Sequence, residues 1–272
     1  MKVSASIPKK ATLHIESLSV RYQEKNVLQD INFTLPYNNL TVFIGPNGCG
    51  KSTLLKSLSC VKKPTSGSVF LGDLNIHQAP AKLIAKHIAL LSQSPSTSED
   101  LSVYTLVSRG RYPHQNFFAI WRQEDEIAVQ EALYVTKLQD LQHEPLRNLS
   151  GGQKQRAWIA MTLAQQTPIL LLDEPTTYLD IAYQIELLNL CYKLYLQGRT
   201  LGLVLHDLNL ALRYATYLIV MKDGKIFAKG SKKEIITSKL LKDVFDVSCS
   251  IIEDPITKSP LILLDAPEHF HA

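Results

Sequence analysis

A glycine-rich segment of this chain has the residue types and the spacing that bind the phosphates of a nucleoside triphosphate. It fits the pattern G-x-x-x-x-G-K-[ST] at every fixed position and reads Gly45-Pro46-Asn47-Gly48-Cys49-Gly50-Lys51-Ser52-Thr53. Glycines let the backbone turn its N–H groups toward a phosphate. Lys51 then reaches the β- and γ-phosphates, and the Ser52 hydroxyl takes one position on Mg²⁺. A chance glycine turn is the alternative, and the neighbouring elements argue against it.

Two adjacent acids form the second candidate site. Asp173 and Glu174 follow a run of leucines and precede Pro175. Such an acid can simply cap the next helix, since Asp favours that position. In a chain with a phosphate loop the pair favours catalysis. Asp173 would then hold Mg²⁺, directly or through water, and Glu174 would deprotonate the attacking water as general base.

Three further side chains are each open to two interpretations. Gln93 would touch Mg²⁺ or the attacking water, but a loop glutamine without a task is the simpler interpretation of the residues alone. His206 is by default an ordinary core histidine. Tyr22 would either stack on a nucleobase or pack on an edge strand, and the residues favour neither.

The elements around these residues predict an α/β fold with a parallel sheet. Residues 40–44, just before the glycine-rich segment, are apolar and β-branched, which predicts a buried strand, and 53–58 have helical character. Further buried strands are predicted at 68–71, 88–91, 169–172, 200–205 and 217–221. Gly45, Gln93, Asp173 and His206 follow strand ends, where the ligands of parallel sheets bind.

Other stretches predict the surrounding organisation. Residues 13–35 alternate like half-buried antiparallel strands. Residues 94–164 carry helical spacing and predict a helical subdomain inserted in the sheet. In the helix after Asp180, one apolar stripe is predicted from Ile181, Ile185, Leu188 and Tyr192. The tail, 233–272, has a helix-like start at 233–245.

Composition excludes several classes of protein. The 272 residues carry a net charge of +4, too slight to indicate nucleic acid, and the four cysteines are scattered, so neither zinc nor disulfides are predicted. No apolar run approaches the roughly 18 residues that cross a bilayer, and no signal peptide is evident. We therefore expect a cytoplasmic chain, and any membrane pore would be another polypeptide.

A resemblance to the ATP-binding-cassette (ABC) family rests on Leu149-Ser150-Gly151-Gly152-Gln153, which is similar to the family signature. The rest of the family set follows in family order from about 13 to 230: Tyr22, the loop 45–53, Gln93, the signature, Asp173-Glu174, Leu179-Asp180 and His206. The resemblance implies a P-loop ATPase core at 12–232 with a mixed or parallel sheet. It also implies an N-terminal antiparallel β-subdomain, the inserted helical subdomain at about 94–164, and a separate tail at 233–272.

The same resemblance implies partners and residue roles. Two copies would face head to tail, so that Ser150, Gly151, Gly152 and Gln153 of each close over the ATP–Mg²⁺ held by the other's phosphate loop. His206 would contact the γ-phosphate, Asp180 would belong to the nucleotide-binding set, and Gln93 would link the site to a membrane partner. Ser150 and the two glycines offer a hydroxyl and bare N–H groups at a helix start, where negative charge is favoured.

A finer resemblance concerns cargo. Residues 110–114, 155–161 and 175–180 are similar to the ATPase subunits of bacterial iron–siderophore importers. This implies a peripheral protein at the cytoplasmic face of the membrane, bound to permease subunits and served by a substrate-binding lipoprotein or periplasmic protein. Arg111 to His114 would form a permease-docking surface, or would only pack the subdomain. Haem and cobalamin importers are the near alternatives. A soluble ABC ATPase acting on DNA or ribosomes is the distant one, disfavoured because the chain has neither internal repeat nor heptads.

Overall fold

The computed structural model describes residues 12–93, 95–115 and 120–265. Strands and helices alternate through most of this range. The strands are β1 (Leu13–Tyr22), β2 (Lys25–Leu35), β3 (Leu40–Ile44), β4 (Ser66–Leu71), β5 (Leu74–Asn75), β6 (Ile88–Leu91), β7 (Ile169–Asp173), β8 (Thr200–Val204), β9 (Tyr217–Lys222), β10 (Lys225–Gly230), β11 (Cys249–Glu253) and β12 (Pro260–Leu264). The helices are α1 (Lys51–Leu58), α2 (Ala81–Ile84), α3 (Val103–Ser108), α4 (Gln123–Val135), α5 (Gly151–Ala164), α6 (Ile181–Leu196), α7 (Leu208–Tyr214), α8 (Lys232–Ile235) and α9 (Ser238–Phe245).

The central sheet has the strand order β10-β9-β3-β8-β7-β6. The five strands from β9 to β6 pair in parallel, and β10 returns antiparallel beside β9 after the Asp223–Gly224 turn. Every residue of β3, β7 and β8 is buried, because helices cover both faces of the sheet. The predicted parallel α/β sheet is confirmed, and its carboxyl edge is where the loops of interest emerge.

The N-terminal strands form a second, antiparallel sheet with the order β2-β1-β4-β5. Leu13, Ile15, Leu18 and Val20 of β1 point inward, so the predicted alternation is interrupted once, by an irregularity between Ile15 and Leu18. Their side chains join one apolar cluster with Phe43 of β3 and with Leu54 and Leu55 of α1. The helix that follows the phosphate loop is therefore held between the two sheets. This fixes the position of the loop at the end that joins α1.

The predicted helical insertion contains α3, α4 and α5, which pack on one another and on the far face of the central sheet. The predicted start of this insertion, residue 94, and residues 116–119 lie outside the described ranges. No helix within the described residues is long and apolar enough to cross a bilayer.

The apolar stripe predicted on α6 is correct for only part of its residues. Ile181 is 79% exposed, whereas the buried positions of α6 are Leu187, Leu188, Cys191 and Leu194. Of the predicted set, Leu188 is buried and Ile185 is partly buried, whereas Ile181 and Tyr192 are exposed. A stripe drawn from the first helical residue therefore pointed partly to solvent.

The tail is more structured than the sequence predicted. The helix expected at 233–245 is interrupted, because Thr237 begins a new helix by accepting from the N–H of Leu240. The β11–β12 hairpin that follows was not predicted. It is bound to α7 through Asn209, whose amide both donates to the carbonyl of Ile262 and accepts from its N–H. Residues 266–272 lie outside the described ranges. The boundary at 232 stays a prediction.

Candidate active site

The phosphate loop connects the end of β3 to the start of α1, as predicted. Gly45 adopts φ 153°, and a Cβ there would lie 2.2 Å from the carbonyl oxygen of Met221. Gly50 precedes α1 in a left-handed conformation with φ 105°. No side chain caps α1, and its first turn contains no acid. The N–H groups at the start of this helix are thus oriented for an anion.

Lys51 is a buried cation inside this loop. Its Nζ donates to the carbonyl oxygens of Gly45 at 2.8 Å and Pro46 at 2.9 Å. Burial raises the pKa of the neighbouring Cys49 thiol more than the Lys51 ammonium lowers it, so this thiol stays protonated at neutral pH. The positive charge of the loop therefore comes from the lysine and the helix N-terminus.

Asp173 ends β7 beside the phosphate loop and is fully buried. Its Oδ1 accepts a hydrogen bond from the Ser52 hydroxyl at 2.9 Å. Its Oδ2 has no hydrogen-bond partner among the described residues. Burial raises the pKa of Asp173, which the bond from Ser52 only partly offsets. An unpaired buried carboxylate oxygen next to a hydroxyl fits a hard cation, because such a cation takes oxygen ligands.

The donor set at this edge is a partial one. Within the described ranges, no group of three or more His, Cys, Asp or Glu side chains could hold a metal ion by itself. Mg²⁺ is typically bound by one or two carboxylates together with substrate phosphates, without an all-protein cage. Asp173 and Ser52 provide such a partial set at the edge of the phosphate loop.

Glu174 is held by two side chains from neighbouring strand ends. Gln93, after β6, donates from Nε2 to Glu174 Oε2 at 2.7 Å. His206, after β8, lies with Nε2 2.7 Å from Glu174 Oε1. Gln93 therefore contacts a candidate catalytic residue, and the interpretation of His206 as a core histidine is wrong because its side chain is 49% exposed. The roles of both residues in hydrolysis stay predictions. The parallel sheet brings these three residues together because β6, β7 and β8 are adjacent.

The signature residues lie at the start of α5. The Ser150 hydroxyl accepts from the N–H of Gln153, and the Gln153 side chain accepts from the N–H of Ser150, which forms a capping box. In the part of the chain that the structure describes, the hydrogen bonds of Ser150 stay within this first turn. Ser150, Gly151, Gly152 and Gln153 thus make no hydrogen bond there to the phosphate loop of their own chain.

Two other predicted residues lie at the surface. Asp180 caps α6 by accepting from the N–H of Tyr183 at 3.0 Å. Tyr22 ends β1 with an exposed ring, and Lys62 Nζ lies 4.1 Å from the ring centroid. A cation over an aromatic face holds the ring in place. The nucleotide-binding roles of Asp180 and Tyr22 stay predictions.

Two of the four residues of the permease-docking surface expected at Arg111 to His114 are buried. Arg111 is buried and paired with Asp125 at 2.8 Å, and its Nη1 donates to the carbonyl of Ala164 at the end of α5. Pro113 is buried as well. Only Tyr112 is strongly exposed, at 68%. Arg111 and Pro113 therefore pack the helical subdomain, where a guanidinium can replace water for a buried carboxylate and a helix end. Docking of a permease at this turn stays a prediction.

Gln155 was not predicted as a site residue. It is buried on α5 and donates from Nε2 to the carbonyl oxygen of Pro175 at 3.1 Å, directly after Glu174. A buried amide on an otherwise apolar helix face needs a partner. Local sequence patterns do not signal this contact, because Pro175 lies 20 residues further along the chain than Gln155.

Comparison with known proteins agrees with these features. Residues 28–177 match the family described as ABC transporter. A protein of Bacillus subtilis (strain 168) named as a probable siderophore transport system ATP-binding protein, YusV, is 50% identical over 93% of this chain and 92% of its own length. The ferric enterobactin transport ATP-binding protein FepC of Escherichia coli (strain K12) is 48% identical over 93% of this chain and 94% of its own length.

Solved structures share the fold. A metal-chelate type ABC transporter in an inward-facing conformation superposes with a TM-score of 0.79 at 28% identity, over 94% of this chain and 98% of that one. The cassette MJ0796, in a dimeric post-hydrolysis state bound to ADP and Pi, gives a TM-score of 0.74 at 26% identity, over 80% of this chain and 98% of that one. The predicted fold class is confirmed, and the chain belongs to the ABC transporter family.

Proposed function

We propose that this chain is the ATP-hydrolysing subunit of an importer that takes up iron(III)–siderophore complexes through a separate permease. The proposed cargo is supported by sequence identities of 50% and 48%, each over 93% of the chain, to proteins named for siderophore and ferric enterobactin transport. The proposed ATP hydrolysis is supported by four side chains that lie together at one edge of the sheet: Ser52, Asp173, Glu174 and His206.

ATP binding uses the phosphate loop. The β- and γ-phosphates lie against the N–H groups at the start of α1, and the Lys51 ammonium exchanges its bonds to the Gly45 and Pro46 carbonyls for phosphate oxygens. Tyr22 stacks on the base. Ser52, Asp173 and Gln93 hold Mg²⁺, which when bound neutralises the charge of the β- and γ-phosphates.

Hydrolysis depends on Glu174. A water attacks the γ-phosphorus, Glu174 takes its proton, and the bond to the β–γ bridging oxygen breaks to leave ADP and phosphate. Each carboxylate oxygen has two acceptor positions, so Glu174 can bind the water while Gln93 and His206 hold its orientation. His206 is exposed enough to reach the γ-phosphate as well.

Assembly completes the site. Two copies face head to tail, and Ser150, Gly151, Gly152 and Gln153 of one cover the ATP of the other, with Asp180 beside them. The support is that Ser150 bonds only within its own helix turn among the described residues, and that the related cassette MJ0796 is dimeric. The dimer binds permease subunits at the cytoplasmic face of the membrane, and a substrate-binding lipoprotein or periplasmic protein delivers the chelate outside.

Uptake of labelled cargo tests the proposal. A strain that lacks this gene, grown with iron supplied only as a ferric siderophore, receives either the wild-type gene or the Glu174→Gln variant. We expect the wild-type gene to restore uptake of the labelled chelate and the variant to fail at equal protein level. Unimpaired siderophore uptake in the deletion strain, together with lost haem or cobalamin uptake, would refute the cargo and leave the ATPase in place.

A further inference from the structure

The loop that carries Glu174 begins with a strained backbone. Glu174 has φ 53°, in the left-handed region that a residue with a Cβ rarely adopts. Such a conformation persists only where the surroundings hold it. Gln93 and His206 hold the Glu174 carboxylate, and the Glu174 carbonyl accepts a hydrogen bond from the N–H of Thr177 at 3.3 Å. The next carbonyl of the loop, that of Pro175, has its support from outside the loop.

Gln155 of α5 provides that support. Its Nε2 donates to the carbonyl oxygen of Pro175 at 3.1 Å in a buried position. Within the described ranges, this carbonyl accepts no other hydrogen bond. The Pro175 carbonyl belongs to the peptide between Pro175 and Thr176, so the bond from Gln155 anchors the loop one residue beyond Glu174. The fixed φ of Pro175 limits the freedom of the backbone between that anchor and the catalytic residue.

The first turns of α5 lie along the rest of this loop. An ideal Cβ on Gly152 would be 3.5 Å from the carbonyl oxygen of Tyr178 and 3.6 Å from Leu179 Cδ2, so the helix backbone and the loop are close neighbours. The loop is thus bound to the same helix that presents Ser150 at its start.

We propose that Gln155 is a positioning residue for hydrolysis: it fixes the Pro175 peptide and through it the Glu174 carboxylate of its own chain. The inference rests on the proposed ATPase function and adds a link that neither the motifs nor the fold assigns. α5 thereby has two tasks, since its first turn serves the ATP of the partner while Gln155 serves the hydrolytic residue of its own chain.

Gln155→Met tests this role because methionine has similar length and volume but no donor. We expect the kcat for ATP to fall about tenfold while KM changes less than about twofold, since a small misplacement of a catalytic group acts on the reacting step. The matched control is Gln165→Met. Gln165 donates in the same way, from Nε2 to the carbonyls of Ala85 and Ile88, but away from Glu174. We expect its kcat to stay within about twofold of the wild type.

Mixed dimers separate positioning from a general loss of structure. A dimer of a Ser150→Asp subunit and a Lys51→Ala subunit has one working site, built from Glu174 of the first and α5 of the second. Gln155→Met added to the Ser150→Asp subunit lies in the chain of the working Glu174, and we expect the tenfold loss there. Added to the Lys51→Ala subunit, it lies in the chain that only offers its signature, and we expect no loss.

The outcomes are distinct. Equal losses in both placements, or a wild-type kcat for the Gln155→Met homodimer, would overturn the inference while the proposed function stands. A loss that appears as a raised KM at unchanged kcat would also overturn it. Failure of the proposed function would show first as a wild-type protein that does not hydrolyse ATP.

Discussion

The hydroxyl of Ser52 donates to Oδ1 of Asp173 at 2.9 Å, which joins two residues 121 positions apart in the sequence. The phosphate loop and the end of β7 are thereby held as one unit. The second oxygen, Oδ2, is buried and has no partner within the described residues. A buried, half-paired carboxylate opposes folding until a cation binds it.

Asp173→Asn should therefore stabilise the nucleotide-free protein and weaken its Mg²⁺-dependent binding of ATP. The asparagine oxygen still accepts from Ser52, while the buried charge is gone, so we expect the free energy of unfolding to rise by about 1 kcal/mol. Urea unfolding and ATP titration with and without Mg²⁺ measure the two effects. The control is Asp207→Asn, an exposed N-cap of α7 where either residue caps well. A destabilised Asp173→Asn would show that the buried charge is compensated.

The pH dependence of this effect has a defined sign. Burial raises the pKa of Asp173, so the unfolded chain loses this proton at lower pH than the folded one. As pH rises from the ordinary carboxyl pKa toward the raised value, the folded state therefore loses stability. We expect the advantage of Asp173→Asn to vanish in acid and to grow as the pH rises through that interval. A difference in the free energy of unfolding between Asp173→Asn and the wild type that stayed constant across pH would contradict this prediction.

Glu174→Gln should abolish hydrolysis and keep nucleotide binding. The amide preserves the shape of the carboxylate but cannot take a proton from water, and a positioned base contributes about 10²–10⁴-fold to turnover. We expect a loss of this size in kcat with ATP affinity unchanged. Phosphate release and equilibrium ATP binding measure the two quantities. Glu186→Gln, an exposed acid on α6 paired with Lys137, is the matched control. Hydrolysis at the wild-type rate would assign the base elsewhere.

Local patterns predicted the parts of the site that consist of contiguous residues. The phosphate loop follows from glycine spacing between a buried strand and a helix, because each of these signals lies within a few residues. Strand ends placed Gln93, Glu174 and His206 at one edge, but their mutual contacts depend on the order β6-β7-β8, which the sequence does not specify. The structure brings both Gln93 and His206 into contact with Glu174, whereas the roles that the resemblance implies for them stay predictions.

Buried polar residues were the hardest to predict. Arginine is almost never fully buried unless paired, and the sequence does not show that Arg111 has a buried partner. Its partner, Asp125, lies on α4, and the carbonyl of Ala164 lies at the end of α5. Gln155 escaped notice for the same reason, since its partner Pro175 is in another element. Burial at such positions is decided by long-range pairing.

Arg111→Met should destabilise the protein strongly. It leaves Asp125 buried without its cation, and breaking such a pair costs about 3–5 kcal/mol. The control is Lys137→Met, which breaks the exposed pair with Glu186 and should cost less than about 1 kcal/mol. Chemical unfolding measures both. If Arg111→Met lowered the free energy of unfolding as little as Lys137→Met does, water would be replacing the guanidinium beside Asp125.

The Arg111–Asp125 pair also predicts a pH effect. Burial raises the pKa of Asp125, but the hydrogen bond from Arg111 and the backbone N–H of Arg122 outweigh it and hold the pKa below its ordinary value. The stability that this pair contributes is therefore present above the ordinary carboxyl pKa and is lost as pH falls through the lowered one. We expect the difference in the free energy of unfolding between the wild type and Arg111→Met to become smaller in strong acid.

Mixed dimers test whether the signature acts on the partner's ATP. Lys51→Ala removes the ammonium of the phosphate loop. Ser150→Asp keeps the helix cap but places a carboxylate against the γ-phosphate, so each homodimer should be inactive. A heterodimer of the two has one intact site, formed by the loop of the Ser150→Asp subunit and the signature of the Lys51→Ala subunit.

Mixing the two inactive proteins should therefore restore ATP hydrolysis. With random exchange half of the dimers are mixed and each has one site, so activity reaches roughly a quarter of the wild-type value if the sites act independently. Differently tagged subunits allow the mixed dimer to be isolated and assayed alone. The control is a doubly mutated subunit mixed with Lys51→Ala, which contains no intact site and should stay inactive. Isolated mixed dimers without activity would place the action of Ser150 within its own chain.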